Sequence, residues 1–209
     1  MFYEPDKNDH GKPFNPYRAC IVPRPIGWIS TMNVAGQVNL APFSQFNNIG
    51  LDPAYVMFSA GGHSSGTRRK DTVANAEATG EFVYNMATYD LRKAVDLTGQ
   101  IMESDVDEMA AAGLTPAPSR LVRPPRVAES PIQFECRYHQ TIVLEGRDMA
   151  NTNFVVIGRV VGVHIADHAF DDTGKVDIQR LRPLARLGYL QYTSVEHVFQ
   201  GGKLGPGGG

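Results

Sequence analysis

Cysteine is scarce in this chain. Cys20 and Cys136 are its two cysteines, they lie far apart, and neither belongs to a paired-thiol motif. In a reducing compartment such residues are expected to be small buried apolar side chains rather than a disulfide or a redox pair. The six histidines are scattered, without a helical HxxxH pattern or a Cys/His cluster, so no structural metal site is expected.

Long hydrophobic runs and a strong charge of either sign are also missing. No apolar stretch has the length of a membrane span, and the N-terminal segment MFYEPDKNDHGKPF lacks the charged start and apolar core of a secretory signal. The formal net charge of −2 favours neither nucleic acid nor an acidic membrane surface. We therefore expect a cytoplasmic protein that binds no nucleic acid and no membrane.

Familiar catalytic and nucleotide-binding motifs are absent as well. The chain has no GxSxG elbow, no P-loop, no GxGxxG after a strand and no obvious pair of carboxylates. These absences argue against a serine hydrolase, a nucleoside triphosphatase and a doubly wound dinucleotide-binding fold. A chain with polar loops but few acid–base groups is compatible with a bound cofactor that carries the reaction.

Residues 24–47, RPIGWISTMNVAGQVNLAPFSQFN, organise the rest of the chain. Side chains from Ile26 to Asn33 alternate between two faces, which predicts a strand. Gly36 allows the chain to reverse before a second strand over residues 38–41, and at Pro42 regular pairing is expected to stop or to continue only along a sheet edge. Residues 43–48 are predicted to form a polar loop. An ordinary hairpin and a loop that contacts a flat, polar-edged ligand both fit this pattern.

The other predicted elements are short. Predicted strands cover residues 55–60, 82–86, 132–144, 153–163 and 188–192, with bends or bulges at Gly158 and Gly162. Predicted helices cover residues 71–79, which Gly80 closes, 90–98 and 104–112. In the strand that starts at Ile132, we expect one wet face formed by Gln133, Glu135, Arg137, His139, Thr141 and Glu145.

Many strands with tight turns and short helices predict a mainly β fold, a closed antiparallel β-barrel with short helices. The body is expected to span residues 24–195. A proline-rich irregular arm over residues 1–23 precedes it, and a glycine-rich tail over residues 196–209 follows it.

Two basic segments are candidates for anion binding. Residues 64–72, SSGTRRKDT, join hydroxyls and three consecutive cations to the start of a helix, and a helix N-terminus favours phosphate. Arg69 and Lys70 would donate charge-assisted hydrogen bonds and Thr72 a neutral one, although a solvated run with Asp71 as N-cap fits equally well. Between residues 113 and 131, three arginines either face solvent or lean over a site as an anion filter: Arg120, Arg123 and Arg126.

Several ordered blocks resemble the flavin reductase-like, FMN-binding split-barrel family. The first is RPIGWIST at residues 24–31, followed by NLAPFS at 39–44 and by Phe46 and Asn47. The second is RKDT at 69–72, followed by Asn75 and by TGEFVYN at 79–85. Shorter blocks are AGLT at 112–115, ESP at 129–131 and LRPLARLG at 181–188. Together they extend from about residue 17 to residue 192.

The resemblance implies a non-covalent FMN on an antiparallel split barrel, in a homodimer with each flavin near the subunit interface. Along the flavin it places, largely through backbone groups, Trp28, Ile29, Ser30 and Thr31, with the Trp28 side chain in the core. Near the ring edge and ribityl chain it places Asn39, Ala41, Ser44, Phe46 and Asn47, with Ser59 and Ala60 at the end of the next strand. Near the phosphate it places Ser65, Arg69, Lys70 and Thr72.

The implied function is reduction of FMN, or of an acceptor through bound FMN, by NADH or NADPH. Such an NAD(P)H-dependent flavin reductase needs positioning rather than a protein acid or base, so no catalytic side chain is predicted. The electron acceptor is left open between a flavin-dependent monooxygenase, free flavin, a metal and a quinone. The alternatives are a non-enzymatic FMN electron carrier or store and a barrel that has lost flavin and serves as a binding module.

Overall fold

The computed structural model describes residues 1–63, 65–103 and 106–202. Its strands are β1 (Arg24–Pro25), β2 (Gly27–Met32), β3 (Val38–Phe43), β4 (Phe46–Leu51), β5 (Ala54–Gly61), β6 (Glu81–Met86), β7 (Pro116–Ala117), β8 (Arg126–Val127), β9 (Ile132–Leu144), β10 (Asn153–Ile165), β11 (Leu184–Gly188) and β12 (Gln191–Ser194). Its α-helices are α1 (Asp71–Thr79), α2 (Arg92–Leu97), α3 (Glu108–Ala111) and α4 (Ile178–Leu181). Short 3-10 helices cover Pro16–Ala19, Met149–Asn151 and Asp167–Ala169.

A seven-stranded antiparallel sheet forms the body, in the spatial order β3-β2-β6-β9-β10-β5-β4. The edge strands β3 and β4 are consecutive in the chain and are joined only by Ser44 and Gln45. Because so short a link requires adjacent strand ends, the sheet must curl until its two edges meet. Inside this curl Phe46 of β4 stacks on Tyr84 of β6, with ring centroids 4.5 Å apart. The predicted antiparallel barrel with short helices is confirmed.

Strand β2 lies at the centre of the packing because both of its faces are buried. On one face, Ile29 belongs to a core cluster with Phe58, Phe82 and Phe154. On the other face, Trp28 packs with a second cluster that includes Leu40, Val95, Val127 and Leu184. With both faces covered, the polar Ser30 and Thr31 of β2 are as fully buried as its apolar Trp28 and Ile29. Because β2 is packed on both faces, it supports the loops around it.

Local backbone predictions at four glycines are confirmed. Gly36 has a φ of +90° in the turn between β2 and β3, and Gly80 ends α1 in the left-handed region with a φ of +74°. The pairing of β9 with β10 shifts register next to Gly158 and again between Val160 and Gly162. At Gly158 an added Cβ would lie 2.3 Å from the ring of Phe82, so the core requires glycine there.

The prediction of a polar loop over residues 43–48 is wrong for most of that segment. Only Ser44 and Gln45 form the turn, and Phe46 begins β4, which pairs with β5. The polar residues Asn47 and Asn48 are exposed within this strand. Their strand conformation comes from pairing with β5, a tertiary contact that overrides their low strand propensity.

The predicted wet face of β9 is also wrong at its first residues. Gln133 and Glu135 are buried, whereas Ile142 and Leu144 at the far end are exposed. The cause is the covering chain, since residues 120–122 lie against Glu135 through backbone hydrogen bonds. Beyond its pairing with β6, β9 is paired with β10 alone.

The last predicted strand is a hairpin instead. Strand β11 ends at Gly188 and β12 begins at Gln191, and Tyr189 in the turn has a φ of +52°. The predicted helix over residues 90–98 is shortened to α2, and that over residues 104–112 is represented by α3, with residues 104 and 105 outside the described ranges. Cys136 is buried as expected, but Cys20 is exposed. The boundaries of the arm and the tail stay predictions.

Among the described residues, no helix is long and apolar enough to cross a membrane. Within the same ranges, no group of three or more His, Cys, Asp or Glu side chains could hold a metal ion.

Candidate functional site

A cleft lies where β3 faces the beginning of α1, and we call it cleft A. Its volume is about 240 Å³. Strand β3 and the chain after β5 provide one wall, and the start of α1 with the segment after α2 provides the other. The lining residues used below are Asn39, Ala41, Phe43, Gly62, His63, Lys70, Thr72 and Glu108.

The start of α1 gives cleft A an anion-binding character. Lys70 is the N-cap residue of α1, and its side chain makes no capping hydrogen bond. Its ammonium lies 5.9 Å from the centre of the Phe43 ring, and desolvation in the cleft lowers the pKa of Lys70. Next to it, the Thr72 hydroxyl accepts a hydrogen bond of 2.9 Å from the Asn39 amide, which leaves the hydroxyl hydrogen available to a ligand. The N-terminus of α1, the Lys70 ammonium and the Thr72 hydroxyl therefore lie together in cleft A, the combination that favours an anion.

A carboxylate on the opposite wall of cleft A was not foreseen from the sequence. Glu108 of α3 accepts a hydrogen bond of 2.9 Å from the backbone N–H of Leu40. Burial raises the pKa of Glu108 above its ordinary value, against the lowering effect of that hydrogen bond, and the nearby charges of Asp107 and Asp71 raise it further. The cleft thus carries an acid that resists ionisation, facing a helix start that attracts anions.

The other predicted phosphate residues lie beside cleft A rather than in its lining. Arg69 forms an ion pair with Glu77 of α1, and its guanidinium carbon lies 4.7 Å from the centre of the Phe154 ring. Ser65 is exposed, and its hydroxyl is hydrogen-bonded to His63 and to Thr67 at 2.9 Å each. Both residues hold the loop before α1 in place. In the described part of the loop, Lys70 and Thr72 are the predicted residues that line the cleft.

A second cleft, cleft B, lies at the corner where β3 passes into β4. Its volume is about 730 Å³. The predicted ligands Ser44, Phe46 and Asn47 line it, together with Met57 and Gly61. The opposite wall comes from the N-terminal arm and the last hairpin, with Tyr17, Arg18, Arg24, Arg186 and Tyr189.

Cleft B is rich in donors. Its lining contains three arginines and no carboxylate. One guanidinium nitrogen of Arg24 donates to the backbone carbonyls of Arg18 and Ile21 at 2.9 and 2.8 Å. The Nε of Arg24 is buried and has no hydrogen-bond partner within the described residues. Buried donors are normally satisfied, so Arg24 offers an unused donor to a polar ligand or a bridging water.

The two clefts adjoin at the end of β5. Gly61 lines cleft B and the next residue, Gly62, lines cleft A. A Cβ at Gly62 would lie 1.9 Å from the Met149 carbonyl oxygen, so this position requires glycine. Ser59 and Ala60 precede the junction, and the Ser59 N–H donates to the Gln45 carbonyl at 2.8 Å. Consecutive residues at the end of β5 therefore line the two clefts.

The predicted flavin-flanking residues of β2 have fully buried side chains. As expected, the Trp28 indole lies in the core, where its N–H donates to the Thr98 hydroxyl at 2.9 Å. The Ser30 hydroxyl donates to the Pro125 carbonyl, and the Thr31 hydroxyl accepts from Asn75. Ile29 belongs to the core cluster described above. Their side chains serve the fold, and neither cleft is lined by them.

The structure brings together seven of the predicted site residues in the two clefts. Cleft A holds Asn39, Ala41, Lys70 and Thr72, and cleft B holds Ser44, Phe46 and Asn47. Sequence reasoning missed Glu108 and the arginines of cleft B. Arg24 and Arg186 do lie in matched blocks, at 24–31 and 181–188, which was the available signal for them. No pattern around Glu108 distinguished it from an ordinary acidic residue near a helix start.

Comparisons with known proteins agree with this architecture. The family model described as "Flavin reductase like domain" matches residues 18–190. An uncharacterized protein of Aquifex aeolicus is 36% identical over 172 residues, which cover 82% of this chain and 84% of that protein. Nitrilotriacetate monooxygenase component B from Bacillus cereus has a TM-score of 0.87 and 28% identity, over 96% of this chain and 98% of its own.

A Shewanella frigidimarina structure described as having a split barrel domain has a TM-score of 0.81 and 20% identity, covering 98% of this chain and 100% of its own. At this identity the likeness concerns the fold, and it confirms the split barrel. The family model covers most of the chain, including every residue that lines cleft A and the block that carries Arg186. The chain therefore belongs to the flavin reductase-like family.

Proposed function

We propose that this chain binds one FMN non-covalently, with the phosphate in cleft A and the ring system in cleft B. The phosphate meets the start of α1, the ammonium of Lys70 and the hydroxyl of Thr72. Asn39 and Ala41 flank the ribityl chain, which passes the end of β5 near Ser59 and Ala60. Ser44, Phe46 and Asn47 meet the ring edge, and the backbone of residues 28–31 supports the site from the barrel wall.

The observation that carries this proposal is the junction of the two clefts at Gly61 and Gly62. One side of the junction suits an anion and the other suits a flat ring with polar edges. The buried, unpartnered Nε of Arg24 fits a ligand that offers acceptor atoms at cleft B. These features match a singly phosphorylated ring compound better than a free nucleoside or a bare anion. Ser65 and Arg69 support the phosphate indirectly, because they hold the loop before α1.

The proposed activity is transfer of hydride from NADH or NADPH to this flavin. A bound flavin supplies the ring nitrogen that accepts hydride. The protein's part is to fix the ring edge through Ser44 and Asn47, to keep one ring face open to the nicotinamide, and to supply donors for the negative charge of the reduced ring. The arginines of cleft B are the side chains placed to supply that charge stabilisation.

Two further features belong to the proposal. A homodimer would bring a second subunit towards the exposed apolar residues of the N-terminal arm, among them Phe2, Phe14 and Ile21. The component B relative is named as part of a nitrilotriacetate monooxygenase. A flavin-dependent monooxygenase is accordingly a candidate acceptor of the electrons, in the cytoplasm.

The test is a titration of the purified protein with FMN and with riboflavin, followed by addition of NADH or NADPH under anaerobic conditions. We expect quenching of FMN fluorescence at one site per chain, weaker binding of riboflavin, and bleaching of the yellow absorbance by a nicotinamide. Bleaching by dithionite alone would replace the reductase by an electron carrier. A protein that takes up no FMN would exclude both and leave a binding module.

A further inference from the structure

A third cleft lies away from clefts A and B, and we call it cleft C. It is formed by the connection between α3 and β9, by the start of β9 and by the end of β10, and its volume is about 560 Å³. No residue of its lining also lines cleft A or cleft B. The residues that matter below are Arg120, Leu121, Arg126, Glu135, Val163 and His164.

The single carboxylate in the lining of cleft C is already satisfied by the protein. Glu135 is fully buried and accepts hydrogen bonds from the backbone N–H groups of Arg120, Leu121 and Val122 at 2.8, 2.6 and 3.2 Å. The Nε2 of His164 donates to the same carboxylate at 2.5 Å. With this many donors, the charge of Glu135 is compensated locally. It does not repel an anion in the cleft as a bare carboxylate would.

The guanidiniums of Arg126 and Arg120 in cleft C differ in how firmly hydrogen bonds hold them. Arg126 is held in place, because it donates to the Pro118 carbonyl and to the Gln133 amide oxygen, the latter at 3.1 Å. Those bonds use three of its five N–H donors and leave two for a ligand. The Arg120 guanidinium has no hydrogen-bond or ion-pair partner within the described ranges, and the residue is exposed. One fixed and one adjustable guanidinium thus line the same cleft, and each presents a planar set of donors that suits a carboxylate.

Apolar side chains border this pair of cations. Leu121 and Val163 are 51% and 55% exposed at the edge of cleft C, and Ile165 also lines it. A free inorganic anion would leave these side chains in water, whereas an apolar body attached to the anion would cover them. The cleft therefore matches a ligand with one charged end and one apolar end.

We propose that cleft C is a second ligand site, which binds a small organic acid through its carboxylate. The carboxylate lies between Arg120 and Arg126, and the apolar body lies against Leu121 and Val163. This site is separate from the flavin site and does not depend on the proposed flavin chemistry. Two of the three arginines between residues 113 and 131 thus face a site, which was one of the two roles open to them from the sequence.

The experiment follows backbone amide shifts of the ¹⁵N-labelled full chain during titration with benzoate, with benzamide and with inorganic phosphate. Benzamide matches the shape of benzoate without its charge, and phosphate supplies charge without an apolar body. We expect saturable shifts for benzoate at Leu121, Gly162 and His164, with or without added FMN. Arg120→Gln should weaken benzoate roughly tenfold, as loss of a charge-assisted hydrogen bond does. Arg126→Lys should weaken it as well, because an ammonium lacks the planar fork.

Arg123→Gln is the matched control, because Arg123 lies in the same segment but pairs with Glu81 outside the cleft lining. It should bind benzoate as the wild type does. Equal binding of benzamide and benzoate, or no effect of Arg120→Gln, would overturn the site. Phosphate that binds as tightly as benzoate would overturn the organic-acid assignment. Shifts confined to cleft A or B, or a self-association that covers Leu121 and abolishes the shifts, would also overturn it.

Discussion

Glu135 and Glu108 are two partly or fully buried glutamates with opposite environments. Glu135, on β9, receives four hydrogen bonds from backbone and imidazole donors. Burial by itself raises its pKa, but the hydrogen bonds from Arg120, His164 and Leu121 outweigh burial and hold the pKa below its ordinary value. Glu108, in cleft A, accepts from the backbone of Leu40, and burial and neighbouring acids hold its pKa above the ordinary value.

The contrast in hydrogen bonding and pKa distinguishes Glu135, a carboxylate that serves the fold, from Glu108, a carboxyl at a candidate site. Around Glu135 the chain has matched each acceptor with a donor, as a stable interior requires. In cleft A an acid and an ammonium are both desolvated, and each is less easily charged than in water. Such incomplete compensation is typical of functional sites, where a ligand completes the set of partners.

The largest effect is expected from removing the satisfied carboxylate. Glu135→Ala leaves three backbone N–H groups and the His164 imidazole without their acceptor, so it should lower the free energy of unfolding by about 3–5 kcal/mol. Urea unfolding followed by tryptophan fluorescence measures this, since Trp28 is in the core. The control is Glu129→Ala, because Glu129 is exposed and accepts from the Thr115 backbone. Equal losses in the two variants would contradict the structural role of Glu135.

A smaller effect, on binding rather than on folding, is expected in cleft A. Lys70→Met keeps an unbranched side chain that is one atom shorter and removes its charge, so FMN should bind about tenfold to a hundredfold more weakly, while riboflavin, which lacks the phosphate, should bind unchanged. Fluorescence titration gives both constants. Lys175→Met, in the turn before α4 and outside both clefts, is the control. A similar loss for riboflavin would mean that Lys70 supports the fold of the cleft instead of a phosphate.

Strand period and turn residues were enough to predict most of the barrel. Alternation in β2, the reversal at Gly36, the helix end at Gly80 and the bulge glycines of β10 are local properties of the chain. Strand β4 could not be predicted in the same way, because Asn47 and Asn48 favour turns and become a strand only through β5. The turn at Tyr189 was missed for a related reason, since a tyrosine at positive φ has no sequence signal.

The residues of the candidate site also fall into those that the sequence predicts and those that only tertiary contacts define. Lys70 and Thr72 could be found because a basic run next to a helix start is visible in the sequence. Glu108, Glu135 and Arg24 acquire their roles from other segments of the folded chain: β3 for Glu108, residues 120–122 for Glu135, and Leu187 of β11 together with the adjoining arm for Arg24. The alternation of residues in β9 predicted a solvent-exposed Glu135, but the connection at residues 120–122 covers this side chain and buries it. Whether a polar side chain finds its hydrogen-bond partners is decided by the folded chain and cannot be read from the local sequence.

The third prediction tests the low pKa of Glu135 through pH. A carboxyl whose pKa is depressed by folding contributes stability above its ordinary value, near 4.5, and loses that contribution as the pH falls through the folded pKa. Glu135→Gln should therefore be less stable than the wild type at pH 7, by about 1–3 kcal/mol. The gap should narrow as the pH falls below that ordinary value and through the folded pKa. Unfolding titrations at several pH values measure it, and a gap independent of pH would contradict the depressed pKa.

The smallest effect, of opposite sign, is expected at Glu108. A carboxyl whose pKa is raised by folding costs stability once it ionises, so the cost is absent below its ordinary value, near 4.5, and grows as the pH rises through the folded pKa. Glu108→Gln keeps an oxygen that can accept from Leu40 and should therefore stabilise the chain at pH 8, by less than about 1 kcal/mol. At pH 4 the two proteins should have the same urea midpoint. A destabilised Glu108→Gln at pH 8 would show that ionised Glu108 is as well compensated as Glu135, and the contrast between the two glutamates would fail.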